Sequence, residues 1–278
     1  MEYALLYAEG TDALPYVAAD DNVGDWVDEV VASGVSEFGE RLRPEQDATT
    51  LRVRGGELLV SDGPFTESKE SIGGFDVIDA RDLDEAIEIA SRHPVASFGR
   101  VEVRPFVRWP DAEPGARIVP AGFAEREPVG KRYLLLVIAD PTGERAASDG
   151  AAGDDPEAWV TEMDGRGVRL FGEVLRGPED ATFVRRRDGE VLVADGPLTE
   201  AKEWIAGFDL LEVADLAEAI EVASKHPMAR GGALELRPLW PFDPHEDHVE
   251  RTEREAADVA VRLEPRAVDA AALAGART

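Results

Sequence analysis

Asp62-Gly63-Pro64-Phe65-Thr66-Glu67-Ser68-Lys69-Glu70 returns as Asp195-Gly196-Pro197-Leu198-Thr199-Glu200-Ala201-Lys202-Glu203, an offset of 133 residues (195 − 62). The same offset carries Trp26 to Trp159, Phe38-Gly39-Glu40 to Phe171-Gly172-Glu173, and Phe75-Asp76 to Phe208-Asp209. It also carries His93-Pro94 to His226-Pro227 and Arg104-Pro105 to Arg237-Pro238. Roughly half of the last 45 or so positions of each unit are identical, which makes the chain an internal duplication.

Each copy reads the same way. Short apolar runs, Tyr3 to Ala8 and Tyr133 to Ala139, open the units as buried strands. Helical stretches follow around Trp26 to Val31 and Trp159 to Met163. Two strands then meet at a tight turn, Gly55-Gly56 in one copy and Asp188-Gly189 in the other. After the Asp-Gly-Pro loop come a strand from Gly74 to Ala80 and a helix capped by Asp82 or Asp84, with Leu83, Ala86, Ile87 and Ala90 as its apolar face. Pro94 ends that helix, and Val101 to Phe106 forms a last alternating strand. The predicted order, β-α-β-β-β-α-β, is a ferredoxin-like α+β sandwich with an added hairpin. Such a unit leaves one sheet face bare, and a second copy in the same chain is the natural cover. The expectation is two tandem units, residues 1–106 and 131–240, packed as an intramolecular pseudo-dimer. A Pro- and Gly-rich connector, 107–130, joins them, and an acidic tail, 241–278, has a polar helical stretch from 246 to 263.

Composition narrows the function classes. The 58 Asp and Glu against 30 Lys and Arg leave a net charge of −28, a field that repels nucleic-acid backbones and anionic lipid. Zero cysteines exclude disulfides, thiol nucleophiles and thiolate metal sites. No apolar run reaches the length of a membrane span, and the first residues lack the pattern of a secretory signal. A cytoplasmic protein acting on a small molecule is the expectation, without nucleic-acid or membrane partners.

The Asp-Gly-Pro-Phe-Thr-Glu-x-Lys-Glu stretch, the following Gly-Gly-Phe-Asp, the helix ending in His-Pro and the strand ending in Arg-Pro resemble the YCII-related family, and within it the bacterial branch named for its Asp-Gly-Pro-Phe signature. The resemblance covers roughly residues 1–106 and 131–240 and implies a dimeric α+β barrel, usually built from two chains, with sheets face to face around a cleft. It also implies a His/Asp pair as the working groups, one relative acting on a chlorinated hydroxyquinol. Members of the branch often lie beside extracytoplasmic-function sigma factors, which implies a link to such a pathway. The second copy departs from the signature with Leu198 in place of Phe.

Candidate catalytic residues are His93 and His226, the best general acid/base groups in the chain, with Asp62 and Asp195 to orient them or take a proton. Each has a structural alternative: a helix-terminating His-Pro, and an Asp bonded to its own turn. Candidate substrate contacts are Phe65, Lys69, Lys202, Arg104 and Arg237. The two arginines either clamp an anion or pair with Glu102 and Glu235. Trp26 and Trp159 read as core. His245 and His248 have metal-binding spacing but lie once, in the tail, so no metal is expected, and no motif calls for a cofactor. The reading is an enzyme using His/Asp acid-base chemistry on a small molecule without a cofactor (an isomerase, lyase or elimination type). The alternatives are a ligand-binding regulatory module or a structural protein, and a further homodimer of the whole chain stays open. Phe65, Ser71 and Gly73 stand against Leu198, Trp204 and Ala206, so the first pocket is expected to be the more open one, the alternative being that Trp204 points into the inter-repeat core.

Overall fold

The computed structural model describes residues 1–9, 13–14, 22–65, 71–110, 112–113, 115–139, 155–196 and 203–240. The first repeat runs β1 (Glu2–Glu9), α1 (Val23–Ala32), β2 (Ser36–Leu42), the hairpin β3 (Thr49–Arg54) and β4 (Glu57–Asp62), β5 (Ser71–Asp79), α2 (Leu83–Arg92), the one-turn α3 (Val95–Phe98) and β6 (Arg100–Pro105). The second repeats it as β7 (Lys131–Ala139), α4 (Pro156–Arg166), β8 (Arg169–Val174), β9 (Thr182–Arg187), β10 (Glu190–Asp195), β11 (Trp204–Val213), α5 (Leu216–Ser224), α6 (Met228–Gly231) and β12 (Gly232–Trp240). Among the described residues no helix is long and apolar enough to cross a membrane.

The observed order corrects the predicted one. Each unit has a further strand, β2 or β8, whose sequence hides it. In Ser36-Glu37-Phe38-Gly39-Glu40-Arg41-Leu42 only Phe38 and Leu42 are buried, too few to mark a period of two. The helix before His93 starts where Asp82 accepts a hydrogen bond from the Glu85 amide at 3.0 Å. Its buried face is Ala86, Ile89 and Ala90, whereas Leu83 sits in the first turn and stays exposed. Pro94 lies just past α2, which His93 caps, and is itself the N-cap residue of α3, where its missing N–H costs nothing.

Strands β6-β1-β5-β2 form an antiparallel sheet, and β12-β7-β11-β8 repeat its order. The two sets join through Leu42·Leu239 and Arg41·Trp240, and Phe106 bridges Leu175 elsewhere. Leu42 and Leu175 are equivalent across the repeat, as are Phe106 and Leu239. Between the sheets, Phe75 faces its own counterpart Phe208 at 5.4 Å, and Phe38 faces Phe171 at 5.6 Å. The connector joins this core: Phe123 lies 5.1 Å from Phe38 and 5.0 Å from Phe171, and Val119 is buried nearby.

The hairpins are exchanged. β3 pairs with β12 of the second repeat, and β9 pairs with β6 of the first. Leu51 is fully buried in the core under α4 and α5, and Val184 in the core under α1 and α2. Arg54 donates to the carbonyls of Ala229, Arg230 and Gly232 at 3.3, 3.1 and 2.8 Å. Its equivalent Arg187 donates to those of Ala96 and Ser97 at 3.2 and 2.8 Å. Each guanidinium thus meets the carbonyl end of the other repeat's short helix, where a cation is favoured.

Candidate functional site

Side chains alternate along β1. Ala4, Leu6 and Ala8 pack between the sheets, and Tyr3, Leu5 and Tyr7 face the helices. On β5, Phe75 and Val77 likewise face the other sheet. Asp76, between them, turns to the helix side, where Tyr7 Oη donates to its Oδ2 at 2.7 Å. Among the described residues Tyr7 is the one hydrogen-bond partner of this carboxyl. Gly39 lies opposite Asp76 on β2, and a Cβ there would collide with Oδ1, which explains the glycine.

Burial pushes the Asp76 carboxyl up to about 7; the Tyr7 hydrogen bond opposes this and the charge of Glu40 adds to it. Glu40 is itself pushed up to about 7 by burial, against the pull of Arg132. Burial, then the nearby Asp76, holds the Tyr7 phenol well above its ordinary value, so it stays a donor.

Tyr7 stacks on His93, ring centroids 4.0 Å apart and planes 12° apart, and Trp26 meets the imidazole edge-on at 4.7 Å. His93 Nδ1 accepts the Val95 N–H at 3.2 Å. Burial pushes this histidine down to about 3, so near pH 7 it is neutral and carries its proton on Nε2. The ring caps α3 and presents a donor. It is not a free base.

Tyr7, Asp76 and His93 line a cavity of about 890 Å³ that also reaches Ser36, Phe123 of the connector and Arg237 of the second repeat. That volume suits a small organic molecule.

The equivalent place in the second repeat is filled. Val137 pairs with Gly207 as Tyr7 pairs with Gly74, so the phenol is missing. Arg169 stands where Ser36 stands. Its Nε donates to Asp209 Oδ1 at 2.6 Å, and its other nitrogens to the Gly172 carbonyl at 2.8 Å and Asp164 at 3.2 Å. Burial raises the Asp209 carboxyl, and Arg169 draws it back. His226 keeps the capping bond, Nδ1 accepting the Met228 N–H at 3.1 Å, and lies edge-on to Trp159 at 4.6 Å. Burial, aided by Arg169, lowers it to about 4.

The structure distributes the other candidates differently from the sequence expectation. Asp62 and Asp195 end the exchanged hairpins and are exposed. Asp62 does not line the cavity that His93 lines; the carboxylates there are Glu37, Glu40, Glu45, Asp76 and Glu125, and Asp76 is the one bonded to Tyr7. Gly63, at φ +92°, makes the turn that follows Asp62. Phe65 packs partly on the inter-sheet core, and its amide donates to Glu235 of the second repeat at 2.8 Å. The loop is therefore a clasp between repeats. Arg104 is buried against Glu102, and Arg237 against Glu235 at 3.2 Å, while Arg237 also lines the cavity. Lys69, Lys202, His245 and His248 lie outside the described residues. Trp26 and Trp159 are core residues whose indoles donate to Ile89 and Val222 carbonyls, both at 3.1 Å. No three His, Asp or Glu among the described residues gather into a metal-binding group.

Tyr7 and Asp76 went unremarked as site residues in the sequence. The signal was present: an acid between apolar neighbours, Phe75-Asp76-Val77 and Phe208-Asp209-Leu210, repeated together with a glycine 37 positions earlier (76 − 39).

Comparison with known proteins follows the same division. The model of the YCII-related domain matches residues 1–110 and again residues 132–243. An uncharacterized protein of Rhizobium meliloti (strain 1021) is 45% identical over 75 residues, 26% of this chain and 60% of that protein. The chain thus spans about 60% of the length of this curated relative. A solved structure designated a chlorite dismutase aligns over 87% of this chain and 95% of that chain, at 12% identity and a TM-score of 0.35. Two matches covering most of the sequence place the chain in the YCII-related domain family, as two tandem copies.

Proposed function

We propose that the first repeat carries an acid-base site for a small molecule, with Asp76 as the group that exchanges a proton, and that the second repeat is its structural complement. The observation that carries this reading is the contrast between equivalent positions. Asp76 opens on a cavity with Tyr7 as its partner, whereas Asp209 is covered by Arg169. A carboxyl held near neutrality can take a proton from a bound ligand at Oδ1 and return it elsewhere on the same molecule, as isomerisation or elimination requires. Tyr7 keeps its proton on Oη throughout and steadies Oδ2, and His93 offers Nε2–H as a fixed donor. The His/Asp chemistry implied by the family is retained, with Asp76 in the part first given to Asp62.

The same reading gives the fold its finer description. The two halves act as an internal pseudo-dimer closed into an α+β barrel, supported by the paired Leu42·Leu239 and Leu175·Phe106 contacts and by the hairpin exchange. The Asp-Gly-Pro-Phe loop supports placement in the branch named for it. A panel of small acids, phenols and amines, followed by tryptophan fluorescence of the whole chain, tests the site. Asp76→Asn is expected to remove binding and Asp209→Asn to leave it. Equal loss from both, or from neither, would contradict the proposal.

A further inference from the structure

The second repeat contains, in its own side chains, a ligand for the first. β2 and β8 meet their neighbours β5 and β11 in the same register, and both skip one residue at the same place. Phe38 pairs with Val77 and Ser36 with Ile78; Phe171 pairs with Leu210 and Arg169 with Leu211. Ser36 and Arg169 therefore project to the same side at the same distance from the strand carboxylate. In the second repeat the guanidinium from this position makes three contacts: the Asp209 carboxylate, the Gly172 carbonyl and Asp164. In the first repeat two of those three acceptors persist, Asp76 and the Gly39 carbonyl, while Val31 replaces Asp164. Serine leaves the space of the guanidinium to the cavity, and Ser36, Val31 and Asp76 all line it.

Resting on the site proposed above, we infer that the ligand of the first repeat presents a protonated, planar nitrogen group, of amidinium or guanidinium class, to Asp76 in the place that Arg169 takes beside Asp209, so that the proton Asp76 exchanges is the one it gives up as the cation binds. Fork-shaped N–H donors match a carboxylate oxygen and an adjacent carbonyl, as Arg169 demonstrates within the same chain. The flat rings of Tyr7 and His93, stacked at 4.0 Å, border the same space, and aromatic surfaces suit a planar organic cation. The rest of the ligand extends toward Phe123 of the connector.

The experiment is calorimetric titration of the whole chain with methylguanidinium and benzamidinium, with benzoate and phenol as the contrasting probes. Amidinium binding is expected to weaken at least tenfold in Asp76→Asn and to be unchanged in Asp209→Asn. Ser36→Arg, which copies the second repeat, is expected to abolish it while leaving the melting temperature equal to or above the parent. Asp76-dependent binding of benzoate or phenol without amidinium binding would overturn this inference and leave the acid-base site standing. Amidinium binding insensitive to Asp76→Asn would overturn both, as would the failure of every probe. A second arm does not depend on the first cavity. Arg169→Ser opens the second site, and millimolar methylguanidinium is expected to restore its lost thermal stability while tetramethylammonium is not. Equal effects of the two cations would count against the inference.

Discussion

Replacing Asp76 by asparagine takes one titration out of the folding equilibrium, and its size follows from the structure. In the folded protein the carboxyl holds its proton up to about 7, against an ordinary value of 3.8. Between those two values the folded state binds more protons than the unfolded one, so this group's contribution to stability falls as pH rises. It is fully present below the unfolded value and gone above the folded one. About three pH units at roughly 1.4 kcal/mol each give a loss on the order of 4 kcal/mol. Asparagine keeps the shape and has no such dependence. His93 and His226 run the other way, losing stability as pH falls toward their lowered values of about 3 and 4, but they titrate in both proteins and cancel in the difference. Urea unfolding of parent and Asp76→Asn at pH values from about 4.5 to 8 reads it out. The parent should lose ground to the variant steadily up to about pH 7, then hold level. A difference independent of pH would show that the carboxyl ionises at an ordinary value, and the electrostatic account of the cavity would be wrong.

Other substitutions test the packing. Leu51 belongs to one repeat and is buried in the core of the other, so Leu51→Ala should cost about 2–5 kcal/mol in a single unfolding transition of the whole chain. Two separated transitions would mean that the halves fold independently. Gly39→Ala drives a methyl into Asp76 and should destabilise by about 1–3 kcal/mol, with much of the loss recovered in the double variant with Asp76→Ala. Additive losses in the double variant would put the strain elsewhere. Residues 1–106 expressed alone lack both their sheet cover and the hairpin they receive, and should self-associate by light scattering; a stable monomer would contradict the pairing described above.

The repeat made much of this molecule legible. Once the two copies were aligned, the outer strands, the second helix with a cap at Asp82 or Asp84 and the hairpin turns followed from period and turn chemistry. The strand β2 did not, because its faces carry Glu37, Gly39 and Arg41 for reasons of site and ion pairing, and local pattern records only burial. Arg117 holds Glu37 at 3.0 Å, and Gly39 makes room for Asp76. The hairpin exchange was equally hidden, since pairing β3 with β12 or with its own sheet demands the same alternating residues. Among candidate residues, repetition pointed to His93 and His226 because helix capping preserves them in both copies, whether or not chemistry does. Differences between the copies were the better guide to the candidate site. Tyr7 against Val137 and Ser36 against Arg169 separate an open cavity from a filled one, and those contrasts acquire meaning only when strand register shows which side chains share a face.

The account rests on one repeat working and the other supporting it. Its four histidines make the protein well suited to a direct check. In imidazole NMR spectra of the whole chain, saturation with the tightest binder from the ligand panel should shift the His93 signals, which arise from a ring stacked on Tyr7 at the cavity wall. The His226 signals should stay in place, because Arg169 occupies the equivalent space. Equal shifts at both histidines, or shifts at His226 alone, would contradict the assignment of the site to the first repeat.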